Sequence, residues 1–205
     1  MYKQVGVIAV LLLGLSGCGK SPESTVVPAQ PVIAGEVTPA SFDNAVKETL
    51  AHAIVVMNSA KPTEPELDAD IGKIEALLAL SEKNDVDKER AHEAALMSTL
   101  GTLYARKAGN NSTNPRTAGA LIAKSYRYLD KAISLHPQDL MAKIDRGLIS
   151  ARVPDFLGKA EVAHEDLRAV EEHADFDKLT PALQNTIKQA LAEVDSRLAK
   201  TGNEQ

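Results

Sequence analysis

Tryptophan is absent from this sequence, cysteine occurs once, and the other aromatic rings are four tyrosines and three phenylalanines. A lone cysteine, Cys18, excludes any intramolecular disulfide. So few flat rings leave little to stack on bases or sugars. A basic excess is also missing, since 23 Lys and Arg stand against 28 Asp and Glu. Lys3 is the one charge in the first 17 residues, so the remainder carries a formal balance of −6. That excludes the electrostatic footprint of a general nucleic-acid binder. No apolar run reaches the roughly 20 residues that a spanning helix needs.

What is present begins with a short apolar run over residues 5–15, interrupted only by Gly6 and Gly14 and preceded by Lys3. Its length suits the hydrophobic region of a secretory signal, roughly 7–15 residues. The run ends in Leu15-Ser16-Gly17-Cys18. This resembles the lipobox of bacterial lipoproteins, in which a leucine and two small residues precede the cysteine that takes diacylglycerol. The resemblance implies cleavage before Cys18 and three acyl chains on the mature residue, enough for stable anchoring in a lipid bilayer. It also explains the unpaired thiol. Residue 19 is Gly rather than Asp. In lipoproteins of Gram-negative bacteria that implies transfer to the outer membrane, with the protein facing the periplasm.

Residues 1–17 therefore read as signal peptide and residues 18–40 as a lipidated cysteine with a flexible tether. Pro22, Pro28, Pro31 and Pro39 interrupt the tether, and small residues fill it. Such a segment buries too little surface to offset ordering entropy. Residues 41–205 read as one all-α domain of about seven helices. Apolar residues at three- and four-residue steps mark helices near 41–59, 64–80, 85–109, 116–135, 139–152, 157–173 and 180–199. Ser41 is a candidate cap for the first helix, and Thr180-Pro181 opens the last. Stripes such as Phe42, Ala45, Val46, Leu50, Ala53 and Ile54, or Leu67, Ile71, Ile74 and Leu78, are the expected core.

Two stretches have motif character. Met97-x-x-Leu100-Gly101-x-x-Tyr104 resembles the first helix of a tetratricopeptide repeat, and Ser125-x-x-x-Leu129-x-x-Ala132-x-x-x-x-Pro137 its second. The 24 residues from Gly101 to Ser125 are about twice what the usual repeat of about 34 residues leaves, so the turn near 109–117 is lengthened. A weaker copy places Gly147 at the position of Gly101, and Ala163, Leu167 and Val170 at those of Ser125, Leu129 and Ala132. The last helix would cap the array. The resemblance implies antiparallel helical hairpins that present a groove or face to a peptide or partner protein.

Catalytic and metal-binding signatures are scarce. His92-Glu93 and His164-Glu165 start like zinc-protease motifs, but Leu96 and Arg168 stand where the second histidine belongs. There is no phosphate-binding glycine loop and no Gly-x-Ser-x-Gly elbow. The chain is expected to be a non-enzyme without cofactor or metal. Charge is the distinctive feature: residues 106–159 hold ten Lys and Arg against four acids. Within them Lys124, Arg127 and Lys131 recur at helical steps and form a basic stripe. Such a stripe suits an acidic envelope partner or anionic headgroups. Arg146 falls where an apolar residue is expected, between Ile144 and Leu148. Burying it demands a partner, and Asp166 on the following helix is the candidate.

The function expected is that of a protein-binding scaffold or adapter in envelope assembly or transport. The alternative is a carrier that encloses a small apolar ligand among residues such as Met97, Tyr104 and Leu148. The first test is of the anchor. Cys18→Ser should abolish incorporation of labelled fatty acid and release the chain from the membrane fraction; unchanged labelling would overturn the lipoprotein reading.

Overall fold

A computed structural model describes residues 37–84, 86–87 and 90–202. Cys18 and most of the tether lie outside the described residues. Among the described residues seven α-helices follow one another: α1 Pro39–Asn58, α2 Glu64–Asn84, α3 Ala91–Asn110, α4 Pro115–Leu135, α5 Leu140–Arg152, α6 Ala160–Glu171 and α7 Pro181–Gly202. Short 3-10 turns lie at Asp155–Leu157 and Phe176–Lys178. No strand occurs among the described residues, and none of their helices is long and apolar enough to cross a membrane.

The helices start where side chains satisfy the free N–H groups of a first turn. Thr38, rather than Ser41, caps α1. Its Oγ1 accepts from the Ser41 amide at 3.2 Å, and Ser41 Oγ accepts from the Thr38 amide at 2.9 Å. Ser41 is thus the returning member of a capping box. Thr63 and Glu66 repeat the arrangement ahead of α2: Glu66 Oε2 takes the Thr63 amide at 2.8 Å. Asn114 precedes α4, Asp139 caps α5, and Thr180 precedes α7. Pro39, Pro115 and Pro181 fill the first position of their helices, where a missing N–H costs nothing. α3 starts at Ala91, later than the apolar pattern suggests. The residue before it, Arg90, adopts a left-handed backbone with φ 53°, held by a fork of hydrogen bonds from its guanidinium to Glu93.

Contacts divide the described residues into two compact units, with the division inside α4 between residues 128 and 129. In the first, α1, α2 and α3 pack on one another. α2 and α3 run antiparallel, as Tyr104 meets Glu75 and Asn111 meets Glu64. Phe42, Leu67, Ile74, Leu77, Leu96, Leu100 and Leu103 are fully buried there, and Leu121 and Tyr128 of α4 pack against them. Each such side chain contributes roughly 1.5–3 kcal/mol. Leu77 takes the central place in α2 that the apolar stripe assigns to Leu78, which is partly buried.

In the second unit α5 packs on α6, and α7 covers both. Ile144, Leu148, Ala163, Leu167, Val170, Ile187 and Val194 form its core. Gly147 lets α5 and α6 approach closely. A Cβ built there would lie 2.7 Å from Leu167 Cδ2 and 2.8 Å from its Cγ, and Leu167 is itself fully buried. Gly72 in α2 has open space instead. The two glycines should therefore respond with opposite signs. Gly147→Ala should lower stability by about 1–3 kcal/mol through overpacking. Gly72→Ala should raise it by about 0.5–1 kcal/mol through helix propensity. Urea denaturation checks both; equal midpoints for the two variants would mean that α5 and α6 do not meet at Gly147.

Candidate functional site

The first half of α4 carries the most distinctive surface of the first unit. Tyr128 on α4 stacks on Tyr104 of α3, with ring centroids 5.7 Å apart and planes 3° from parallel. The Lys124 ammonium lies 5.0 Å from the centre of the Tyr104 ring, and the Arg127 guanidinium 5.4 Å from that of Tyr128. Spacing explains the arrangement: positions 124 and 128 share a helix face, and 127 neighbours both. A cation over an aromatic face is attracted by the ring's quadrupole but keeps its outward hydrogen bonds free. Lys124 and Arg127 are exposed, and neither enters an ion pair among the described residues. Lys131 is also exposed, on the stretch of α4 that belongs to the second unit.

The ring stack is anchored from below. Tyr104 is buried, and its hydroxyl donates to Glu75 Oε1 at 2.8 Å. Burial, then the Glu75 carboxylate, push this phenol well above the usual tyrosine range. The result is a fixed neutral ring beneath an exposed cation. Chemically the face offers positive charge, N–H donors and aromatic edges, a combination that binds carboxylates or other anions.

Other members of the basic segment are already engaged. Arg106 is buried, and its Nη2 donates to the Ser59 carbonyl at 2.5 Å. Lys107 pairs with Asp68 and Glu64 of α2. Burial works against its charge, but those two carboxylates outweigh it and raise its pKa. The segment's charge excess therefore overstates its free surface, since part of it holds helices together.

Arg146 and Asp166 meet in the second unit. Arg146 Nε donates to Asp166 Oδ2 at 2.7 Å and Nη2 to Oδ1 at 2.8 Å, a bidentate pair between α5 and α6. Asp166 is 3% exposed. A third bond runs from Nη1 to Asp130 on the last part of α4, at 2.7 Å. Asp166, then Asp130, hold the guanidinium charged against the opposing effect of burial. Asp130 lies 16 residues upstream on another helix, and no local pattern in the sequence points to it.

Three of the five histidines stand singly beside carboxylates. His52 Nδ1 lies 2.7 and 3.0 Å from the two oxygens of the fully buried Asp70. His92 sits 3.1 Å from Asp43 and edge-on to Phe42, and His164 lies 3.4 Å from Asp195. Among the described residues no three metal-ligating side chains gather. Of the residues offered as walls of an apolar cavity, Tyr104 belongs to the core of the first unit and Leu148 to that of the second. No family model matches the sequence, and no curated protein or solved structure matches it.

The Arg146 network makes its own prediction. Removing the guanidinium strands a carboxylate that water hardly reaches, so Arg146→Ala should cost about 3–5 kcal/mol. Asp166→Ala should cost a similar amount, and the double variant much less than the sum of the two. Thermal or urea melts check this; strict additivity would mean that the two side chains act independently.

Proposed function

We propose that this chain is a lipid-anchored adapter of the bacterial envelope that holds an acidic segment of another protein against α4. The observation that carries the reading is the pair of exposed cations, Lys124 and Arg127, seated over a stacked tyrosine pair with no acid of their own. Surface charges in helical proteins commonly find i+3 or i+4 partners. Leaving two cations unpaired over rings favours an external anion.

The lipobox-like Leu15-Ser16-Gly17-Cys18 supports attachment through an acylated Cys18, with outer-membrane placement facing the periplasm. The close approach of α5 and α6 at Gly147, with Leu167 and Asp166 in the contact, supports a tetratricopeptide-like hairpin. Domains of that kind generally serve as docking platforms. The proposed role is therefore scaffolding in envelope assembly or transport, and no step of catalysis is assigned.

A photo-cross-linking residue in place of Ala123, exposed beside the cations, tests this in intact envelopes. It should give a discrete adduct, and Lys124→Glu combined with Arg127→Glu should remove it. Raised salt should weaken the adduct as well, because rim charges act through screened fields. Both substitutions lie on an exposed face, so the melting temperature should hardly move. An adduct insensitive to both the charge reversal and salt would overturn the assignment of the α4 face.

A further inference from the structure

Phe156 is 85% exposed, at the tip of the turn that joins α5 to α6. A single apolar side chain at a protein surface is by itself unremarked. This one is held out on a braced support. Leu157 N donates to the Pro154 carbonyl at 3.0 Å and Gly158 N to the Asp155 carbonyl at 2.9 Å, closing a 3-10 turn. Gly158 then reverses the chain with φ 62°, a left-handed conformation that favours glycine.

Arg197 on α7 fastens the turn from behind. It donates to the Ala151 carbonyl at 2.6 Å, reaches the Val153 carbonyl at 3.5 Å, and pairs with the Asp155 carboxylate. The backbone on either side of Phe156 is thus fixed before anything binds. A preformed tip loses little conformational freedom when its side chain enters another medium.

We infer that this turn is a membrane-docking tip, in which Phe156 enters the boundary between headgroups and acyl chains of an anionic bilayer. Two features choose a bilayer over a protein pocket. The first is isolation: among the described residues the only large hydrophobic side chains exposed are Val55 and Phe156, and Val55 lies on α1 of the other unit. A stable protein interface needs about 800 Å² on each partner with an apolar centre of several residues. A lone ring cannot form that centre. A bilayer supplies its own apolar medium and can accept one ring.

The second feature is charge. Arg152, the last residue of α5 and exposed, and Lys159, half-buried just before α6 and itself in contact with another group, flank the tip. Asp155 would repel anionic headgroups, but its carboxylate is taken up by Arg197. Partial burial of the guanidinium lowers the Arg152 pKa from its ordinary value, while Glu193 on α7, within electrostatic reach, acts the other way and tempers the field on that side. Cations beside an interfacial aromatic are the usual composition of a segment that rests on anionic lipid. One ring and two cations give only weak binding from solution, but a chain already attached to the membrane meets lipid at high local concentration.

The inference rests on the lipid anchor of the proposed function for its high local concentration, but not on the α4 docking face, which lies in the other unit and takes a different ligand. It is tested with the full chain in vesicles of phosphatidylethanolamine and phosphatidylglycerol. The chain has no tryptophan, so Phe156→Trp introduces a single fluorescent reporter at the tip. Val55→Trp, at the other exposed position, reports general adsorption. Both variants should keep the wild-type melt, since neither side chain is packed.

Emission from the Phe156→Trp variant should shift to the blue on addition of vesicles and be quenched by lipids brominated on their acyl chains. The Val55→Trp variant should show neither effect. Arg152→Glu with Lys159→Glu in the Phe156→Trp background should abolish the shift, and vesicles of phosphatidylcholine alone should give little. Unshifted emission from the tip reporter in anionic vesicles would overturn the proposal. Equal shifts from the two reporters would overturn it too, as unspecific adsorption. So would a tip reporter that stays in water with lipid but shifts when envelope proteins are added.

Discussion

The second unit is organised by one guanidinium. Arg146 sits on a helix whose neighbours in sequence, Ile144 and Leu148, are buried, so its charge has to be met inside the packing. Asp166 meets it with two oxygens and Asp130 with one. The next residue along, Gly147, has no side chain, and that gap admits Leu167. Close approach and charge pairing therefore reinforce each other: Gly147 brings the helices near enough to exclude water, and exclusion of water makes a partner for Arg146 obligatory. The turn bearing Phe156 hangs between these two helices, so the position of its tip is inherited from the contact at residues 146–147 and 166–167. Arg197 adds the third side from α7.

The first unit solves the same problem differently. Its buried acid, Asp70, is met by His52 from α1 and, at 3.9 Å, by Lys73 from its own helix. Tyr104 and Glu75 supply a second polar tie, between α3 and α2, with the hydroxyl donating. Both ties run from the edge of the core outward, and one of them ends under the exposed cations of α4. The exposed cations of α4 thus rest on a ring whose orientation is set from the opposite side by a carboxylate.

Helix positions are legible in the sequence because a helix needs only its own stripe of apolar residues and a break at each end. Phe42, Ala45, Val46, Ala53, Leu67, Ile71 and Ile74 all lie inside as their spacing demands. Boundaries are less legible. Thr38 and Ser41 are both good caps, and only the Oγ geometry shows that the earlier one closes α1. The start of α3 at Ala91 depends on the left-handed Arg90, a conformation with no composition signal in an arginine. The ion pair of Arg146 with Asp166 can be argued from sequence because both sit beside apolar core positions on consecutive helices. The Tyr104–Tyr128 stack, Asp130 and the inward course of Arg106 cannot, since each joins residues whose separation in the chain carries no period. For the same reason net charge over residues 106–159 is a coarse guide: it counts Arg106, Lys107 and Arg146, which are structural, together with Lys124 and Arg127, which face outward.

The capping box at the start of α1 has a mechanical meaning as well as a thermodynamic one. Any tension carried by the chain ahead of residue 38 enters the folded part at Thr38. It is borne first by the four hydrogen bonds between Thr38 and Ser41 and by the bond from the Phe42 amide to the Thr38 carbonyl, 2.9 Å long. The next link is the Phe42 ring, fully buried and set edge-on against His92 of α3. A pull that outlasts these hydrogen bonds must then drag a phenyl ring out of a close-packed core. Load arrives at residue 38 and the fold resists it at residue 42, so the yield strength of the first unit is concentrated in a single turn of helix.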